Sequence, residues 1–181
     1  MEQEERYSII ASILKLLKEK RSYQGKLATQ KLLYFLKEAY GVSLSYEFYF
    51  YHYGPYSKDL DKDLRNMEMF NIISIKEDPL KMGYSIELNQ DRQVDEYINK
   101  GNRLVENYKE KIKEVLKLFG ELPPEDLELL ATIHYVYKDV KDTSYTKNSI
   151  VQTVKNLKPK YEISEIDSYY DYLIANKLIK G

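Results

Sequence analysis

Between Tyr7 and Lys20, apolar side chains recur at Tyr7, Ile10, Ile13, Leu14 and Leu17 with polar residues between them. Steps of three and four place them on one face of a helix. The spacing returns from Lys26 to Tyr40 through Leu27, Leu32, Leu33, Phe35 and Leu36, and Gly41 stands where a left-handed residue closes a helix. The period then drops to two. In the run YEFYFYHYGPYS, Tyr46, Phe48, Phe50 and His52 fall on one face of a predicted strand, and Glu47, Tyr49, Tyr51 and Tyr53 on the other. Pro55 is expected to end that strand. Ser57 is placed to cap a helix running to about Met69, with Asp59 and Asp61 in the first turn, where the helix dipole favours negative charge. Ile72, Ile73 and Ile75, the turn-rich EDPLKMG, and the alternating Tyr84, Ile86 and Leu88 predict a hairpin.

Beyond the hairpin the pattern changes. Val94, Ile98, Gly101, Val105, Tyr108, Ile112, Val115 and Phe119 recur at alternating steps of four and three, the seam of a heptad helix packed along its length against another helix. The partner helix is either internal or belongs to a second copy of the chain, and Gly101 would allow close approach at one point. Gly120 and Pro123-Pro124 end the helix. Three shorter helices are predicted after it: about Glu125 to Lys138, Thr146 to Leu157, and from Ser164 onward. The last segment closes on an apolar couplet, as Ser57 to Ile73 does, a faint internal resemblance.

The predicted fold is α+β and mostly helical. Helix, helix, strand, helix and hairpin within the first 90 residues match the element order of a winged helix. The chain divides on this reading into a winged-helix-like domain (1–90), a long connecting helix (91–121) and a helical module (122–181) that can be read as a second helix-turn-helix-like unit.

Composition removes whole classes of chemistry. The 181 residues include no cysteine, which excludes disulfides, thiolate nucleophiles and cysteine metal sites and suits a reducing cytosol. The acidic start MEQEERYSII and the lack of a long apolar run lead to the expectation of a soluble, cytoplasmic protein with no membrane span. Charged residues are 31% of the chain and nearly cancel, to a net charge of -1, so a nucleic-acid surface would have to be local. The two histidines, His52 and His134, are isolated from each other, and neither a nucleophile elbow nor a glycine-rich phosphate loop is present. No catalytic residue, metal ligand or cofactor site is predicted.

Two surfaces remain as candidates. The tyrosine face of the aromatic strand and its corner, namely Tyr49, Tyr51, Tyr53, Gly54, Pro55, Tyr56 and Ser57, is either half-covered core or a partner-binding surface, since tyrosine joins apolar area to a polar tip. The predicted recognition helix from Ser57 to Phe70 sets Lys58, Lys62 and Arg65 against Asp59, Asp61, Asp63 and Glu68, a poor match to phosphate. Asp59 and Asp63, four apart, are read there as part of a solvated, salt-bridged face. Lys147, Lys155, Lys158 and Lys160 lie in an acid-free stretch and are the better DNA candidates.

The block from Lys31 to Ile73 resembles the YwgA-like proteins of bacteria and archaea. It is similar, more distantly, to the SocA-like antitoxins of the Panacea-domain group. The residues that carry this are Lys31, Leu32, Tyr34 and Phe35, then Gly41, the aromatic strand, and Gly54-Pro55-Tyr56-Ser57 followed by Leu60, Asp63 and Leu64. The resemblance implies a non-enzymatic protein that binds a protein partner such as a toxin, as an antitoxin or adaptor. The alternative is a winged-helix DNA-binding transcription regulator that forms a homodimer through the heptad seam.

Overall fold

The computed structural model describes residues 1–20, 22, 25–78, 83–89, 95–96, 99–140 and 146–180. Their elements run in the order α1 (Gln3–Glu19), α2 (Lys26–Glu38), β1 (Tyr49–Tyr51), β2 (Gly54–Tyr56), α3 (Lys58–Met69), β3 (Ile73–Asp78), β4 (Gly83–Leu88), α4 (Asn102–Phe119), α5 (Pro124–Asp139), α6 (Lys147–Leu157) and α7 (Ile163–Ala175). The protein is thus α+β and mostly helical, with two small antiparallel sheets, β1 with β2 and β3 with β4. No described helix is long and apolar enough to cross a membrane.

Two helices form the centre. In α2 every residue from Ala28 to Leu36 is buried, and in α5 every residue from Leu127 to His134. A helix apolar on one stripe alone could not be covered all round, and these two carry apolar residues on most of their circumference. Helix α2 packs against α4, α5, β2 and β4, while α5 packs against α2, α6, α7 and β2. The buried apolar residues of all these helices join in one core.

The heptad stripe is the inner face of α4. Ile112, Val115 and Phe119 are buried, with Val105 and Tyr108 packed partly against the same core, and α4 lies on α1 and α2 of its own chain. Phe119 stacks on Phe35 of α2 with ring centroids 4.0 Å apart and planes 9° from parallel. Val94 and Ile98 lie outside the described residues. At Gly101 the approach to α1 is so close that a Cβ would stand 2.2 Å from Cβ of Ser8. The expected close approach exists, and its partner is a helix of the same chain.

Strand boundaries differ from the sequence reading. Alternation predicts one strand from Tyr46 to Tyr53 ended by Pro55, whereas Pro55 lies inside β2 opposite Phe50. A proline is tolerated there because β2 is an edge strand that needs no second ladder of N–H donors. Asp63 also departs from expectation. It is buried, accepting bonds from Arg6 Nε at 2.7 Å and the Tyr46 hydroxyl at 2.8 Å. Asp61 is buried beside it in α3, paired to Lys26 at 2.5 Å and to Arg65 at 3.0 Å. These two acids anchor α3 to the core instead of solvating its outer face.

Helices α3 and α7 end alike. Asn71 and Lys177 both take positive φ, 56° and 58°. Ile72 N–H then bonds Met67 O at 2.8 Å, and Leu178 N–H bonds Leu173 O at 2.9 Å. Each is a six-to-one closure that returns an apolar residue to the core.

Replacing Gly101 by valine is expected to lower stability by about 1–3 kcal/mol, the usual cost of overpacking, because Cβ of Ser8 cannot rotate away. Urea denaturation checks this, and an unchanged midpoint would mean that α4 does not sit on α1 as described.

Candidate functional site

The aromatic run turns back on itself as a hairpin, pairing Tyr49 with Tyr56, Phe50 with Pro55 and Tyr51 with Gly54. The positive φ falls on Gly54, at 80°, and on neither His52 nor Tyr53. That is the signature of an ordinary turn followed by a left-handed glycine, a common way to close a short hairpin. Gly54 is required a second time by space, since a Cβ there would meet Thr132 Oγ1 at 2.7 Å.

Side chains of α2 and the lysine that follows α6 hold the backbone of this corner. Gln30 of α2 behaves like a strand neighbour: its Nε2 donates to Ser57 O at 3.0 Å and its Oε1 accepts from Ser57 N at 3.0 Å. Ser57 Oγ in turn accepts from Leu60 N at 3.4 Å and caps α3. Lys31 Nζ donates to Pro55 O at 2.8 Å. The ammonium of Lys158 donates to His52 O and to Glu128 Oε1, the latter at 2.6 Å. Lys160 reaches Glu128 Oε2 at 3.1 Å. Lys31, Glu128 and Lys158 are only 2%, 3% and 6% exposed.

Two lysines therefore share one buried carboxylate, and Lys31 lies within its field. Burial, with the nearby Lys158 charge adding to it and Glu128 opposing it, pulls Lys31 down to about 7. A second buried pair lies deeper. The Tyr34 hydroxyl and His134 Nδ1 are 2.8 Å apart. Burial raises Tyr34 well above its ordinary value and lowers His134 to about 4, with the Lys138 charge acting in the same direction on the histidine. At neutral pH the hydroxyl donates to a neutral imidazole, whose other nitrogen serves the backbone bond to Leu178.

On this base stands a group of tyrosines. Tyr51 and Tyr53 are 51% and 62% exposed. Tyr49 and Tyr56 are half-buried. Tyr51 lies 5.5 Å from Tyr56 and 6.4 Å from Tyr49, and it leans on the His52 ring at 4.4 Å. Lys58 Nζ sits 5.5 Å from the Tyr49 ring centroid. The Tyr49 hydroxyl is enclosed without a hydrogen-bond partner, so this ring belongs to the support more than to the outer surface. Burial, followed by the Asp61 carboxylate, raises Tyr56 to about 12.

The lysines predicted to meet DNA have internal partners. Lys147 bonds Asp171 at 2.7 Å and Asp167 at 2.9 Å. Lys155 closes the end of α6 through Pro159 O at 2.9 Å and Tyr161 O at 2.7 Å. Lys158 and Lys160 hold Glu128. The stretch is free of acids in sequence but not in space. Among the described residues no group of three or more His, Cys, Asp or Glu is arranged to hold a metal ion.

Sequence reasoning missed Gln30, Glu128 and Thr132, and read Lys31 only as part of a motif. The available signal was polarity in the wrong place: Gln30 and Lys31 interrupt the apolar run of α2, and Glu128 that of α5. Compared with protein-family models and with curated proteins, the chain matches none of them.

The pH dependence of stability should expose the buried lysine. Between about pH 7 and 10.5, the unfolded chain holds a proton at Lys31 that the folded chain lacks. This group therefore makes stability rise with pH in that window, by up to about 1.4 kcal/mol per unit, and adds no slope below it. Urea midpoints at pH 7.5 and 9 should rise more for the native chain than for Lys31→Met. Equal slopes would mean that Lys31 stays protonated in the fold.

Proposed function

We propose that this protein binds a partner protein through the hairpin tip, with Tyr51 and Tyr53 as anchors and Gly54, Pro55, Tyr56 and Ser57 fixing their angle. The observation that carries this is the pairing of exposed rings with a backbone held from beneath: His52 O, Pro55 O and both backbone groups of Ser57 are bonded by buried side chains. A surface ordered before binding loses little conformational entropy on association. Tyrosine is the residue type that most often supplies concentrated binding energy while remaining tolerable in water.

The activity class that fits is a regulator or adaptor, antitoxin-like in the sense that it acts by occupying its partner. The resemblance of residues 31–73 to the YwgA-like and SocA-like proteins agrees with that class, as does the winged-helix-like order of the first elements. The DNA-binding alternative is weakened by the internal partners of Lys147, Lys155, Lys158 and Lys160.

Tyr51→Ser combined with Tyr53→Ser removes both exposed rings and leaves Tyr49 in place. Affinity purification from the native host should recover a stoichiometric protein with the unaltered chain and lose it with the double variant. Circular dichroism and melting temperature should be unchanged to within about 2 °C. Retention of the partner, or loss of the fold, defeats the proposal. Fluorescence anisotropy with random duplex DNA at about 50 mM salt should show no binding; an affinity falling steeply with salt would restore the DNA reading.

A further inference from the structure

A separate pocket of about 230 Å³ lies where the C-terminal ends of α2 and α5 converge, lined by Tyr34, Glu38, Phe48, Tyr135, Lys138 and Asp139. Its walls are rings. Phe48 meets Tyr34 nearly edge-on, with centroids 5.4 Å apart and planes at 79°, and Tyr135 lies 6.4 Å from Tyr34 at 38°. The Tyr34 ring is fixed from behind by the bond between its hydroxyl and His134. The volume falls below the roughly 300–1,000 Å³ of pockets for drug-sized ligands and suits a single head group.

The rings and the helix ends around this pocket favour positive charge. Aromatic faces attract cations, and both helices point the negative ends of their dipoles here. Two carboxylates, Glu38 and Asp139, line it with one ammonium, Lys138, and Glu38 is also paired to Lys37 at 3.6 Å. Burial alone would raise Glu38, but the Lys138 hydrogen bond and the charges of Lys138 and Lys37 outweigh it and hold the carboxyl ionised, below its ordinary value. Asp139 makes no ion pair among the described residues. The chain's own Lys138 already behaves as a cation drawn to the rim, with Nζ 2.6 Å from Glu38 Oε2 and 3.2 Å from Glu38 O, the last carbonyl of α2.

We propose that this pocket binds an organic cation, an alkylammonium or guanidinium head group, against the partly exposed rings of Phe48 and Tyr135, which the buried Tyr34 backs, with Glu38 and Asp139 beside its charge. The head group displaces Lys138 from the Glu38 carboxylate as it enters. None of these six residues belongs to the hairpin tip, so the site stands independently of the protein-binding reading.

Titration of the full chain with tetramethylammonium, followed by the amide resonances of residues 38, 48, 135, 138 and 139, tests it. Tetramethylammonium should bind at least about threefold more tightly than tert-butyl alcohol, its uncharged isostere, as a cation–π contribution requires. Phe48→Leu should weaken binding several-fold. Lys138→Met, a change at an exposed position, should strengthen it several-fold by removing the competing charge. Equal binding of the alcohol, an unchanged affinity in Lys138→Met, or no saturable shift up to about 0.1 M would overturn the proposal. Methylguanidinium and the peptide Ala-Ala-Arg-Ala-Ala distinguish the source of the cation. Tighter binding of the peptide assigns the pocket to a basic side chain, and equal or weaker binding to a free small molecule.

Discussion

The Glu128 carboxylate is the constraint around which the rest is arranged. A charge that deep is costly unless it is paired and its lone pairs are filled. Here Lys158 and Lys160 take one oxygen each. Lys158 then has a donor left for His52 O, and Lys31, placed nearby on α2, has one for Pro55 O. The buried acid thus sets the position of the His52 carbonyl through Lys158, while Lys31 holds that of Pro55. An apolar core of the same volume would give comparable stability, but it would not define where the hairpin sits. Removing Glu128 would leave the Lys158 and Lys160 ammoniums without their counter-charge, so these polar groups act as a unit and not as separate contacts.

That arrangement explains how an aromatic segment can be both structural and exposed. Tyr46 is buried against Asp63, and Phe48 and Phe50 are half-buried on the side facing α2 and α5, while Tyr51 and Tyr53 project at the turn. A short hairpin by itself is marginal in water. This one stands because its backbone is bonded to side chains of α2 and to Lys158. The entropy of ordering the turn is lost on folding, which leaves less to lose when the tip meets another surface.

Periodicity carries most of the helical architecture. The first-turn acids and Ser57 locate the start of α3, Gly41 marks the end of α2 with φ of 62°, and the tail helices fall within a few residues of their predicted bounds. What periodicity could not carry was direction across long sequence separations. The heptad seam specifies a face for α4, but whether that face meets α1 or a second copy depends on where α1 lies, and Gly101 against Ser8 decides it only in three dimensions. The same holds for charge. Lys158 reads as a DNA candidate because no acid is near it in sequence, yet Glu128 is 30 positions away and 2.6 Å distant. Asp63 reads as surface because Lys58, Lys62 and Arg65 stand near it in sequence, yet its partner Arg6 is 57 positions away.

The matching ends of α3 and α7 show how the two parts of the chain use one local device for different purposes. After Asn71 the chain returns Ile72 and Ile73 to the core and enters β3, building the second hairpin. After Lys177 it returns Leu178 toward His134 and Ile179 to the core. Lysine adopts the left-handed region less readily than asparagine or glycine, so the closure at Lys177 needs support from the residues beyond it. That support is the chain of contacts from Tyr34 through His134 to Leu178, which joins α2, α5 and the segment after α7. Because Tyr34 also lines the pocket at the ends of α2 and α5 and neighbours Lys31 on α2, the hairpin corner, the pocket and the final turn all adjoin a single α2–α5 interface. The three features are therefore built on one set of packed side chains.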